Sequence, residues 1–166
     1  MIICAMLVAV ALVLDRFVPI VFTDSIKISL AFIPVLVAAS FFGPADAALV
    51  WALADLLGAV LFPRGAYFPG FTLTCALKGF AFGICMTRFR NFFLRSVLPS
   101  FFSDLIVALF LDTLFISLLY STKTYWGYFI TRIPQCVILF ALAVVLIPVI
   151  EQITKKLKKA LKTPLK

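Results

Sequence analysis

The chain has 166 residues, 64% of them hydrophobic and 13% charged, with a formal net charge of +8 and a mean hydropathy of +1.19. Soluble domains are roughly half apolar and a quarter charged, so a water-soluble globule is excluded. The chain contains no His, which removes the commonest general base and metal ligand. Six spans of about 20 apolar residues would leave only short loops, with no room for a nucleotide- or DNA-binding domain.

Six apolar segments follow one another and predict an all-α integral membrane protein, a single domain built as a compact six-helix bundle. The first, residues 1–22, lacks the basic leader and cleavage site of a signal peptide. It carries Ala5-x-x-x-Ala9, and Asp15 and Arg16 near its far end. The second, 26–42, contains Pro34 and ends at a Gly43-Pro44 turn. The third, 45–62, carries Asp46 at its start and Asp55 in its second half.

The loop LFPRGAYFPGFTLT (61–74) then leads into the fourth segment, 70–87. Two Pro and two Gly stiffen and punctuate it. Its aromatics Tyr67, Phe68 and Phe71 read either as walls for a flat ligand or as part of an interface belt. Segment four also carries Lys78 and Gly79-x-x-x-Gly83. Small residues at this spacing let helices approach closely, within the chain or across to a partner.

The fifth segment, 97–119, carries Asp104 and Asp112, and the sixth is 127–150. Tyr125, Trp126 and Tyr128 at its start read as a second interface belt. In Thr131-Arg132-Ile133-Pro134-Gln135, Arg132 and Gln135 share a helix face, and Pro134 frees the carbonyl of Ile130. That group suits a polar heterocycle or a carboxylate; the plainer reading is a kinked helix with a snorkelling Arg. The four Cys are far apart with no CxxC spacing, so neither a metal nor a cofactor is expected.

Residues 151–166 hold six Lys and one Glu, and the loop between segments four and five holds Arg88, Arg90 and Arg95. The positive-inside rule makes this end, and both termini, cytoplasmic. The basic tail also suits anionic lipid headgroups; it lacks the interleaved aromatics of single-strand nucleic-acid binders. Arg64 and Lys123 are the basic residues of the outer loops.

Charges inside a membrane mark function by default. At 1.5 Å of rise per residue, Asp55 lies about 10 Å, Lys78 about 12 Å and Arg132 about 8 Å below the outer helix ends, with Asp112 at similar depth. Arg16 sits near the outer end. The inner half keeps only Asp46 and Asp104. This distribution describes a polar pocket open to the outside above an apolar floor, within which Asp55 and Lys78 are also placed to form a structural ion pair.

Residues 53–74 (LADLLGAVLFPRGAYFPGFTLT), 112–120 (DTLFISLLY) and 131–135 (TRIPQ) together resemble the folate-specific S component of energy-coupling factor (ECF) vitamin transporters. The resemblance covers almost the whole chain, YFPGFTLT (67–74) is its most specific element, and Asp112 stands where the family pattern favours Asn. It implies a multi-pass protein of the bacterial plasma membrane that captures a vitamin from outside. It also implies that Ala5 and Ala9 pack on a transmembrane coupling subunit joined to two ATPase subunits. On this basis Tyr67, Phe68 and Phe71 are expected as walls, Asp112 or Asp55 on the pterin edge, and Arg16, Lys78, Arg132 and Gln135 as further polar contacts. S components for thiamine, riboflavin or a queuosine precursor are the nearest alternatives. A small membrane enzyme is disfavoured by the lack of His and of a carboxylate cluster with metal-ligand spacing, and a scaffold by the outer charge cluster.

Overall fold

The computed structural model describes residues 2–18, 20–23, 26–63, 67–119 and 124–162. Among these, six helical columns run in chain order. They are α1 (Ile2–Arg16), α2 (Phe32–Phe41), α3 (Pro44–Leu61), α4 (Pro69–Arg88), a fifth column over 92–119, and α7 (Tyr125–Lys162). The fifth joins α5 (Phe92–Ser100), a π-helical stretch (Phe101–Asp112) and α6 (Thr113–Leu119). Arg64 and Lys123 lie outside the described residues.

Four columns are long and apolar enough to cross a bilayer, while α2 is a shorter apolar helix. The large side chains of Leu49, Val60, Leu73, Phe110, Ile130 and Val145 are exposed around the bundle. In water such a shell would drive aggregation; facing lipid it is the surface the solvent requires. The buried core lies inside it, where Val8 and Ala11 of α1 meet Val35 and Leu36 of α2, Val50 of α3, Phe82 of α4 and Ile147 of α7.

The first two segments differ from the expected 1–22 and 26–42. Helix α1 ends at Arg16, and the chain forms an antiparallel pair, β1 (Ile20–Thr23) and β2 (Ile26–Ile28), before α2 begins. Ile20 pairs with Ile28 and Val21 with Lys27. Apolarity cannot separate strand from helix over so short a run. The physical markers are Pro19, which disfavours helix at the residue before it, and β-branched runs on either side of Asp24-Ser25, residues that favour turns.

The close approach of α3 and α4 needs glycine. A Cβ at Gly79 would lie 2.6 Å from the Ala47 carbonyl oxygen, and one at Gly83 would lie 2.2 Å from Pro44 Cα. Backbone blocks both positions, so Gly79-x-x-x-Gly83 is an internal contact. Ala5 and Ala9, by contrast, are exposed on α1. Gly43 has φ of +105°, a conformation natural only to glycine, and Pro44 then starts α3 where its missing N–H is harmless.

The π-helical stretch follows Pro99, whose missing N–H interrupts the α-helical ladder. An α-helix turns by about 100° per residue, so Ser103 and Asp112, nine residues apart, would face opposite ways. In the wider π winding they complete about two turns. Both are buried, and both line one cavity. The sixth segment, expected to end near 150, continues through the basic residues as helix to Lys162.

Candidate functional site

The cavity measures about 340 Å³, within the range of small-molecule sites. Seven residues expected at the site line it: Arg16 from α1, Asp55 from α3, Phe71 and Lys78 from α4, Asp112 from the π stretch, and Arg132 and Gln135 from α7. Residues separated by up to 119 positions in the chain thus converge through five columns.

Lys78 pairs with Asp112 at 2.6 Å, rather than with Asp55 as the hairpin neighbourhood suggests. Both side chains are only 11% exposed, and the pair ties α4 to the π stretch. Asp112 uses Oδ2 for the bridge; its buried Oδ1 has no hydrogen-bond partner among the described residues. It is therefore an acceptor open to a ligand. Asp55 instead accepts a 2.8 Å hydrogen bond from the Thr72 hydroxyl. Tyr67 lies 3.1 Å from that hydroxyl. Because Thr72 spends its single proton on Asp55, Tyr67 is the donor in that contact.

Arg132 is buried, its Nη1 3.5 Å from Thr113 Oγ1. Its Nε is a buried donor with no acceptor among the described residues. A planar guanidinium held this way is preorganised for a carboxylate or a heterocycle edge. Arg16 lies 3.5 Å from Asp15 and passes over α3 at Gly58, where a Cβ would come within 2.6 Å of Arg16 Nε. Gly58 thus makes the space through which α1 delivers its cation.

The three aromatics of the 61–74 loop divide. Phe71 lines the cavity, whereas Tyr67 and Phe68 lie outside its lining. Tyr67 acts through the chain to Asp55. Phe68 packs against Phe115 with tilted rings 5.1 Å apart between centroids, and Phe71 meets Phe115 edge-on at 5.9 Å. The sequence reading missed Phe115. A Cβ at Gly70 would strike both Phe68 and Phe115, so the aromatic cluster requires that glycine. Tyr125, Trp126 and Phe129 pack together at the start of α7, with Trp126 exposed in the manner of an interface belt.

The expected apolar floor needs correction. Asp104, placed below the pocket by its position in segment five, lines the cavity with Ser103. Trp51 and Phe82 also line it, their rings 5.9 Å apart. Pro99 marks a break in the α-helical ladder, but nothing in the sequence shows that the winding beyond it turns Ser103 inward. Trp51, four residues before Asp55, was recoverable from helical spacing. The described lining therefore carries three cations and four carboxylates between apolar and aromatic walls. That composition suits an amphipathic ligand with both donor and acceptor edges.

A family model described as "ECF transporter, substrate-specific component" matches residues 1–151. The chain is 33% identical over 147 residues to a folate transporter FolT of Clostridium novyi (strain NT), covering 89% of this chain and 84% of that one. It is 28% identical over 135 residues to a folate transporter FolT of Leuconostoc mesenteroides, covering 81% and 72%. A solved structure described as "Crystal structure of FolT bound with folic acid" superimposes with a TM-score of 0.79 at 31% identity, over 88% of both chains. With its membrane-type helical bundle and matches along nearly its whole length, the chain belongs to the substrate-specific components of ECF transporters.

Proposed function

We propose that this chain captures folate from outside the bacterial plasma membrane and delivers it through an ATP-driven ECF module. The observation that carries the reading is the likeness, over 88% of both chains, to a protein crystallised with folic acid. The cavity's chemistry supports it. Folate has a flat pterin with a donor–acceptor edge and a dianionic glutamate tail. Asp112, Asp55 and Gln135 suit the edge, Phe71 suits the face, and Arg16 and Arg132 suit the carboxylates by charge-assisted hydrogen bonds. Lys78 orients Asp112 through the bridge to its Oδ2. Tyr67 and Phe68 act from outside the lining, through Asp55 and the Phe71–Phe115 cluster.

The distribution of Lys and Arg supports cytoplasmic termini and an outward cavity mouth. The exposed Ala5 and Ala9 are the face we assign to the transmembrane coupling subunit, with two ATPase subunits beyond it. The test is reconstitution. In liposomes the lone chain should bind folate, with no displacement by excess thiamine or riboflavin, and should accumulate none. Uptake should appear only with a coupling subunit, ATPases and ATP. Concentrative uptake by the lone chain would refute the assignment.

A further inference from the structure

The basic C-terminal stretch has a structural destination that ligand capture leaves unexplained. A second, smaller cleft of about 80 Å³ opens where the ends of α2 and α4 meet the start of α5 and the late turns of α7. Its polar lining includes Ser40, Thr87, Arg95, Glu151, Lys155 and Lys158. Glu151 lies 26 residues along α7 from Tyr125, or about 39 Å at 1.5 Å per residue. A bilayer with its headgroup regions is about 40–45 Å thick. With the Tyr125–Trp126–Phe129 cluster at one interface, the cleft therefore falls at the headgroup level of the other.

Three cations surround one carboxylate here. Arg95 and Lys155 both bridge to Glu151, the latter at 2.7 Å, and Glu151 is only 4% exposed. Lys158 donates to the Ser40 carbonyl oxygen and lies 5.1 Å from the Phe41 ring centroid. These contacts hold the cations in place, and the single carboxylate neutralises one of the three charges. An ammonium carries three donors; Lys155 commits one to Glu151 and Lys158 one to Ser40. Arg95 Nε is a further donor with no acceptor among the described residues. The cleft has two positive charges in excess and unspent N–H groups, beside exposed apolar side chains such as Phe93 and Ile153.

We propose that this cleft is a binding site for the phosphodiester headgroup of an anionic phospholipid. The phosphate oxygens accept from Lys155 and Lys158, and the acyl chains lie along the neighbouring apolar surface. Neighbouring lysines Lys156 and Lys159 are exposed on the same helix but do not line the cleft. They separate a built site from diffuse attraction between a basic tail and a charged membrane.

The experiment is native mass spectrometry of the full chain in neutral detergent, titrated with dioleoylphosphatidylglycerol, dioleoylphosphatidylcholine or inorganic phosphate. One phosphatidylglycerol should be retained in preference to phosphatidylcholine, and inorganic phosphate should not displace it. Lys155→Gln with Lys158→Gln should weaken retention by about tenfold or more, whereas Lys156→Gln with Lys159→Gln should leave it unchanged. Lys155→Gln alone, at a side chain 63% exposed, should give an intermediate loss and guards against a folding defect. Equal losses in the two double variants would reduce the effect to diffuse charge and overturn the proposal. So would indifference to headgroup charge, and displacement by inorganic phosphate would assign the cleft to a soluble anion instead.

Discussion

Replacing Lys78 by Met keeps a long side chain in the cavity wall but strips Asp112 of its counter-charge. The bridge is 2.6 Å long and both side chains are 11% exposed, so removing the ammonium leaves a largely buried carboxylate without its counter-charge. Breaking a buried pair from one side costs about 3–5 kcal/mol. For a chain of this size, that is a fall in Tm of about 6–20 °C. Changing both partners, Lys78→Met with Asp112→Leu, removes the stranded charge as well, and such replacements are often neutral or stabilising. The double variant should therefore recover most of the stability while still failing to bind folate, because the polar edge offered by Asp112 is gone. Thermal unfolding in detergent and folate titration on the same samples read the two effects separately. A Lys78→Met protein as stable as the parent would refute the buried-pair reasoning. A double variant with parental affinity would make the pair a structural brace with no part in recognition.

Arg132→Lys should weaken folate binding about tenfold, or about 1.4 kcal/mol, since an ammonium cannot reproduce the planar fork; titration of the folded variant checks it, and unchanged affinity would make Arg132 a structural cation. Gly58→Ala should push the Arg16 guanidinium off α3, where a Cβ would lie 2.6 Å from Nε. Because the blocked group is the far end of a flexible side chain, folate affinity should fall while Tm stays nearly constant. Ala9→Trp, on an exposed face of α1, should leave folate binding intact and abolish co-purification with the coupling subunit; lost binding with an intact complex would reverse the assignment of that face.

The helical columns are legible in the sequence because lipid demands long apolar runs, and such runs are unambiguous over 18 residues or more. Over 17–28 the same apolarity hides a strand pair, where Pro19 and the β-branched residues were the better guide. Seven of the nine expected ligand-site residues line the cavity, because intramembrane charges are too costly to be scattered at random. The partner of Lys78 was harder to read. Proximity in the hairpin favours Asp55, but the observed partner lies 34 residues away on the π stretch. Asp104 was misread, and Ser103 missed, for a related reason. Depth and facing were counted along an α-helix, and the π winding after Pro99 changes both. Gly79 and Gly83 likewise declare close packing, but only the backbone of Pro44 and Ala47 identifies the contact as internal.

The most direct measurement is isothermal titration of folate into the detergent-purified chain, alone and without any partner subunit. Folate capture by this cavity requires saturable binding at one site per chain, in competition with no other vitamin of the thiamine or riboflavin type. A flat isotherm from well-folded protein, or saturable binding of one of those vitamins in place of folate, would contradict it.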